Sequence, residues 1–105
     1  MATERLLQGV YVPLITPFAP DGSVAIDAVE RLAHELLDAG CAGLVALGTT
    51  GESAALDAAD EPAVIETCAR VCAERAAQLI VGAGTNSTAK TVAAVDALRD
   101  TAALA

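Results

Sequence analysis

Short apolar runs alternate with segments of helical periodicity along this chain, and this alternation restricts the fold more than any other feature. The apolar runs occupy residues 10–15, 43–47 and 79–83. Between and after them, apolar residues recur every three or four positions, as they do on one face of an α-helix. The order is therefore β-α-β-α-β-α, which predicts an α/β fold with parallel strands.

Each helical segment carries its own boundary signals. We expect Asp27 to cap the first helix, which ends before Gly40, because a glycine readily takes the left-handed conformation that terminates a helix. Asp57 or Asp60 is the predicted cap of the second helix, and Ser87 is the predicted cap of the third. The apolar positions of the third helix, which we expect to face inward, are Val92, Val95 and Leu98.

The composition indicates that this segment packs against further structure. The chain has 105 residues, 54% of them apolar, but it contains one Phe, one Tyr and no Trp. Small apolar side chains bury little area each, so a free-standing domain of this composition would lack hydrophobic stabilisation. Residues 102–105 also read as the start of a fourth strand. We therefore expect residues 1–105 to be a part of a larger domain.

Charge and cysteine content restrict the partners. The net charge of −8 repels nucleic acid and anionic membranes, and no apolar run is long enough for a membrane helix. The first residues lack the pattern of a signal peptide, so the cytoplasm is the predicted location. The 3 cysteines include no CxxC pair and there is 1 histidine, so we expect no metal site.

The second apolar run ends in the segment Gly48-Thr49-Thr50-Gly51-Glu52. In parallel β/α folds, ligands bind beyond the carboxyl ends of the strands. Glycines allow unusual backbone angles and close approach of a ligand, while consecutive threonines present hydroxyl and N–H donors that can hold a carboxylate. A tight turn with capping threonines explains the spacing equally well. Glu52 either orients the turn through its backbone amides or acts as an acid or base.

No segment matches a phosphate-binding loop or a dinucleotide fingerprint. The turn lacks the Gly-Lys-Ser/Thr ending, and the Gly-Ala-Gly of residues 82–84 lacks a third glycine. We therefore expect no nucleotide, and no cofactor of any kind.

Several segments occur together in an order that is typical of one family. They are Thr-Pro-Phe at 16–18, Gly-Ser at 22–23, Asp-Ala-Gly at 38–40, Gly-Thr-Thr-Gly-Glu-Ser at 48–53 and Gly-Ala-Gly-Thr-Asn-Ser-Thr at 82–88. With these segments the chain resembles the dihydrodipicolinate synthase and N-acetylneuraminate lyase family over nearly its whole length. The resemblance implies that residues 1–105 are the first three to four β/α units of a (β/α)8 TIM barrel.

The resemblance also implies a function and roles for the turn. Members of the family are usually homotetramers that bind pyruvate as a Schiff base on a lysine of the sixth strand and join it to an aldehyde. Thr49, Thr50 and Gly51 would then bind the pyruvate carboxylate, supported by Gly48 and Glu52. The Thr49 hydroxyl would be catalytic, because it would join a proton relay with two tyrosines, one of them from a neighbouring subunit.

This chain contains only part of that machinery. It holds neither relay tyrosine, and Lys90 falls in the third helix, where we expect an exposed side chain rather than the nucleophile. The 105 residues alone should therefore be inactive. Consecutive threonines favour the synthase branch of the family. Another pyruvate aldolase or dehydratase, an N-acetylneuraminate lyase and a non-catalytic half-barrel remain the alternatives.

Overall fold

The computed structural model describes residues 7–103, which form a three-stranded parallel sheet with helices between the strands. The strand order is β1-β2-β3, with Val12 beside Leu44 and Leu44 beside Leu79. The predicted β-α-β-α-β-α order is thus confirmed. The elements are β1 (Tyr11–Pro13), α1 (Ile26–Asp38), β2 (Gly43–Ala46), α2 (Asp60–Glu74), β3 (Gln78–Val81) and α3 (Thr88–Ala97).

The hydrophobic core lies between the sheet and helices α1 and α2. Leu44 of β2 and Leu79 of β3 are aligned in register, are almost completely buried and point to the helical side of the sheet. They pack with Val29 of α1 and with Val71 and Cys68 of α2 in one cluster. An unbroken apolar run such as residues 43–47 is typical of a strand buried on both faces, and α1 and α2 cover one of them.

The opposite face of the sheet is open. Successive strand residues point to opposite faces, so Pro13, Val45 and Ile80, which are aligned in register, point away from α1 and α2. Pro13 is exposed and the other two are half-buried. The Leu14 N–H donates to the Val45 carbonyl (3.0 Å), so the nitrogen of Pro13 faces the free edge of β1 and costs no ladder hydrogen bond.

Charged side chains join α1 and α2 at the surface. Arg70 pairs with Glu30, and Arg75 pairs with Asp38 and contacts His34. Arg70 holds the pKa of the Glu30 carboxyl below its usual value. Exposed ion pairs contribute little to the free energy of unfolding. These contacts therefore affect the orientation of the two helices more than the stability of the fold.

The predicted caps of the first two helices are wrong. Asp27 lies inside the first turn of α1, and the N-cap residue is Ala25, which makes no side-chain cap. Helix α2 begins at Asp60 after Ala59, again without a side-chain cap. The Asp60 carboxylate instead accepts a hydrogen bond from the Asp57 N–H (3.2 Å). Acidic groups in a first helical turn still interact favourably with the helix dipole, which explains their presence there.

Helix α3 starts as predicted but packs differently. The Ser87 hydroxyl accepts a hydrogen bond from the Lys90 N–H (3.3 Å), which confirms the cap. The inward orientation predicted for the apolar residues is wrong, because Val92 is 63% exposed and Val95 is 56% exposed. Leu98 is half-buried. The periodicity predicts the helix correctly, but no other element among residues 7–103 covers its apolar side.

The strands are shorter than the apolar runs that predict them, because the last residues of each run already belong to a loop. Gly40 has a φ of +104°, which confirms the predicted end of the first helix. Of the fourth strand predicted at residues 102–105, Ala102 and Ala103 are irregular, and residues 104–105 lie outside the described part. No helix within residues 7–103 is long and apolar enough to cross a membrane.

Candidate functional site

The predicted site residues form one turn at the carboxyl edge of the sheet, between β2 and α2. Residues Thr49–Gly51 make a single 3-10 turn. The Gly51 N–H donates to the Gly48 carbonyl (3.0 Å), and the Glu52 N–H donates to the Thr49 carbonyl (3.0 Å). Thr49 and Thr50 are exposed whereas Gly51 is buried. The turn therefore exposes both threonines to solvent, while hydrogen bonds within the turn hold its backbone.

Thr49 and Thr50 carry unused hydrogen-bond donors. Neither the hydroxyl nor the N–H of Thr49 or Thr50 forms a hydrogen bond with any residue from 7 to 103. The N–H groups of Gly51 and Glu52 are already used within the turn. Two hydroxyls and two N–H groups on adjacent residues are suited to binding a small anion such as a carboxylate.

The unusual backbone angles expected at the two glycines occur instead at their outer neighbours. Leu47 has a φ of 58° and Glu52 a φ of 55°, both left-handed, whereas Gly48 has an ordinary φ of −76°. A left-handed conformation costs a residue with a Cβ roughly 1–2 kcal/mol, so surrounding contacts must hold it. The chain thus turns sharply immediately before and immediately after the glycine pair.

Gly51 is closely packed, and its φ is not in the left-handed region. A Cβ at this position would lie 3.2 Å from the Leu14 carbonyl oxygen and 3.3 Å from the Thr16 Oγ1. The buried Thr16 hydroxyl donates a hydrogen bond to the Gly51 carbonyl (2.7 Å). Thr16 is absent from the set of site residues predicted from the sequence. The available signal was its place as a polar residue at the carboxyl end of the first apolar run.

The loop after β3 closes the other side of the turn. A Cβ at Gly82 would lie 2.2 Å from the Leu47 carbonyl oxygen and 3.2 Å from the Gly48 nitrogen. The Gly82 N–H donates to the Ala46 carbonyl (2.8 Å), so β3 continues alongside β2 up to the base of the turn. Contacts from both neighbouring loops therefore fix the turn.

Glu52 is the ionisable side chain within residues 48–52. Glu52 is exposed, and its carboxylate makes no hydrogen bond or ion pair with residues 7–103. Lys90 is exposed on α3, as predicted. In the described part of the chain, no group of three or more histidine, cysteine or acidic side chains is arranged to hold a metal ion.

The buried cysteines lie in the core rather than at the turn. Cys68 is fully buried and Cys72 is 3% exposed. Burial, and to a lesser degree the neighbouring Cys72, raises the pKa of the Cys68 thiol to about 12. Burial likewise raises the pKa of Cys72. Both thiols therefore stay protonated at neutral pH and are poor nucleophiles.

A groove of about 740 Å³ lies between α2 and α3, with Ile65, Ala69 and Leu98 among its lining residues. It reaches the base of the turn at Leu47 but does not include Thr49 or Thr50. Its surface is mainly apolar, so it is not suited to holding a small carboxylate. The exposed turn is the stronger candidate for a binding site.

Comparison with known proteins identifies close relatives. The model of the Dihydrodipicolinate synthetase family matches residues 6–104. A 4-hydroxy-tetrahydrodipicolinate synthase of Mycolicibacterium gilvum is 43% identical over 79 residues, which are 75% of this chain and 26% of that protein. The chain thus spans about a quarter of the length of this relative.

Solved structures show the same fold. The chloride-inhibited dihydrodipicolinate synthase of Acinetobacter baumannii, complexed with pyruvate, is 34% identical, with a TM-score of 0.86 over 92% of this chain and 33% of that chain. An N-acetylneuraminate lyase of Mycoplasma synoviae has a TM-score of 0.82 over 94% of this chain and 34% of that chain, at 23% identity, and supports the fold alone. The expected TIM-barrel segment is confirmed. The chain belongs to the dihydrodipicolinate synthetase family.

Proposed function

We propose that this chain provides the pyruvate-binding part of a Schiff-base pyruvate aldolase. The complete enzyme is a 4-hydroxy-tetrahydrodipicolinate synthase, which condenses pyruvate with aspartate semialdehyde in lysine biosynthesis. The observation that carries the proposal is the exposed turn, where the donors of Thr49 and Thr50 are unused. The similarity of the chain to a synthase complexed with pyruvate supports the choice of ligand.

Each residue of the turn has a role in this proposal. The N–H and hydroxyl donors of Thr49 and Thr50 bind the pyruvate carboxylate, and the lack of a Cβ at Gly51 lets the turn pack against the first loop. Gly48 and Glu52 shape the turn. The Gly48 carbonyl accepts a hydrogen bond from the Gly51 N–H, and Glu52 adopts a left-handed conformation. The Thr49 hydroxyl also acts in catalysis, as one member of a proton relay.

The reaction needs a lysine that we do not assign to this segment. When the pyruvate carbonyl is an iminium, its methyl group can lose a proton because the nitrogen takes up the electron pair, and the resulting carbon attacks the aldehyde. Lys90 is an exposed residue of α3, so we do not assign it the role of the nucleophile. We propose that the 105-residue chain binds pyruvate without turning it over. The complete enzyme is a cytoplasmic homo-oligomer, by family resemblance a tetramer.

Pyruvate binding is testable on the chain as it stands. In ¹⁵N–¹H NMR titrations we expect pyruvate to shift the amide signals of Thr49 and Thr50, and methyl pyruvate, which has no free carboxylate, to leave them in place. Thr49→Val and Thr50→Val each remove a hydroxyl donor and should weaken binding. Thr88→Val is the matched control, because Thr88 is an exposed threonine on α3. Equal shifts with the ester, or full binding by both turn variants, would contradict the proposal.

The absence of Schiff-base chemistry in this segment is a separate prediction. We expect treatment with pyruvate and borohydride to leave the mass of the chain unchanged. A covalent adduct on Lys90 would show that this lysine is the nucleophile and would overturn the assignment of roles.

A second candidate function, a non-catalytic half-barrel that assembles with another chain, is favoured by the open face of the sheet. Pro13 is exposed there, and Ile15 is 55% exposed. Light scattering after size-exclusion chromatography tests it, since a monomer with a cooperative melt would argue against any need for a partner.

An N-acetylneuraminate lyase or a keto-sugar-acid aldolase or dehydratase is the alternative within the family, and aldehyde assays on a complete enzyme separate these.

A further inference from the structure

Thr16 links two β/α units at the proposed site. It follows β1 and is 4% exposed, and Thr16 and Thr67 are the buried polar side chains of residues 7–103. The Thr16 hydroxyl donates to the Gly51 carbonyl at 2.7 Å, across 35 positions of sequence. A buried polar group keeps such a partner because leaving it unpaired is costly. The bond therefore ties the first loop to the turn between β2 and α2.

The peptide unit between Gly51 and Glu52 is held at both ends. The Gly51 carbonyl oxygen accepts a hydrogen bond from the Thr16 hydroxyl, and the Glu52 N–H donates one to the Thr49 carbonyl at 3.0 Å. A peptide unit is a rigid plane, so fixing both ends removes its freedom to rotate. Glu52, the next residue, has a left-handed φ of 55° that needs external support. The Thr16 hydroxyl supports this backbone from the first loop, and the Ala55 N–H donates to the Glu52 carbonyl (2.8 Å) on the other side of the residue.

We propose that Thr16 is a positioning residue for pyruvate binding, and this inference rests on the function proposed above. Its hydroxyl sets the Gly51–Glu52 peptide and, through the hydrogen bond to the Thr49 carbonyl, the orientation of the donors on Thr49 and Thr50. Thr16 is buried and contacts the side of the turn that faces the protein interior, so it does not touch the ligand. A ligand binds more weakly when its binding-competent state is only partly populated. Loss of the hydroxyl therefore weakens binding without removing any donor to pyruvate.

The test compares two valine substitutions that each remove one buried hydroxyl. Thr16→Val removes the bond to the Gly51 carbonyl, while Thr67→Val removes a bond of 2.8 Å to the Ala63 carbonyl inside α2. Thr67 is 5% exposed, so the two sites match in burial and chemistry. Thr16→Ser keeps the hydroxyl and serves as the conservative rescue. The measurements are hydrogen exchange at the Glu52 amide and the dissociation constant for pyruvate, both by NMR.

We expect Thr16→Val to speed exchange at the Glu52 amide by roughly fivefold to tenfold relative to core amides, and to raise the pyruvate dissociation constant by a similar factor, as the loss of one buried hydrogen bond implies. Thr16→Ser should restore both values. Thr67→Val should leave the turn unchanged, even where it lowers global stability. Unchanged exchange at Glu52 in Thr16→Val, or equal effects of Thr67→Val, would overturn the inference.

Two further outcomes remain decisive. In the first, the wild-type chain binds no pyruvate but Thr16→Val still speeds hydrogen exchange at the Glu52 amide. The proposed function then fails, while the positioning of the turn by Thr16 stands. If Thr16→Val does not fold, the wild-type chain supplies the test. The Thr16 hydroxyl proton must then exchange slowly enough to be observed near the Glu52 amide, and rapid exchange would overturn the inference.

Discussion

Gly82→Ala perturbs the base of the turn at a point where backbone meets backbone. The new Cβ would lie 2.2 Å from the Leu47 carbonyl oxygen, where ordinary contact needs at least 3.4 Å. It would also lie 2.8 Å from the Leu47 carbonyl carbon and 3.2 Å from the Gly48 nitrogen. The Gly82 N–H is bonded to the Ala46 carbonyl, so the loop cannot retreat without breaking the pairing of β2 with β3.

The magnitude follows from two opposing effects. Overpacking in a close contact costs about 1–3 kcal/mol, and the obstacle here is backbone, which cannot rotate away. Replacing glycine by alanine also restricts the unfolded chain, which favours folding by about 0.4–1 kcal/mol. We therefore expect Gly82→Ala to lower the free energy of unfolding by about 1–2 kcal/mol.

Gly84→Ala is the matched control because Gly84 lies in the same loop. A Cβ there would meet nothing within 4 Å, and its φ is not in the left-handed region. This variant should be as stable as the wild type or slightly more stable. Urea unfolding followed by circular dichroism compares the two variants. Equal midpoints for Gly82→Ala and Gly84→Ala would refute the close contact between the third loop and the base of the turn.

Three further predictions concern the cap of α3, the core and the pH dependence. Ser87→Ala should cost about 1 kcal/mol and speed exchange at the Lys90 amide, and unchanged exchange would contradict the cap. Leu44→Ala should cost about 2–5 kcal/mol in urea unfolding, since Leu44 is 0% exposed, and a loss below about 1 kcal/mol would contradict its place in the core. The unfolded chain releases the Cys68 thiol proton near its ordinary pKa, whereas the folded chain keeps it up to about pH 12. Stability should therefore fall as pH rises above about 9, by up to about 1.4 kcal/mol per pH unit for this group. Cys68→Ala should have a shallower slope, and identical slopes would contradict the raised pKa.

The sequence predicts where the proposed site lies in the chain but not the backbone geometry of the site. The five residues from Gly48 to Glu52 stand out because glycines and threonines follow a buried strand, and the structure places them in one turn. The left-handed angles at Leu47 and Glu52 were not predictable, because such angles are uncommon for residues with a Cβ. The chain adopts them where neighbouring loops hold the backbone, and those loops are distant in sequence.

Local patterns determined the elements of this protein. Helix and strand periodicities are encoded within a few residues, so the β-α-β-α-β-α order, the Ser87 cap and the end of α1 before Gly40 follow from the sequence alone. Tertiary structure decided which residues meet. The contact of Thr16 with Gly51 and that of Gly82 with Leu47 each join loops of neighbouring strands. These contacts depend on the register and order of the strands, which no local window contains.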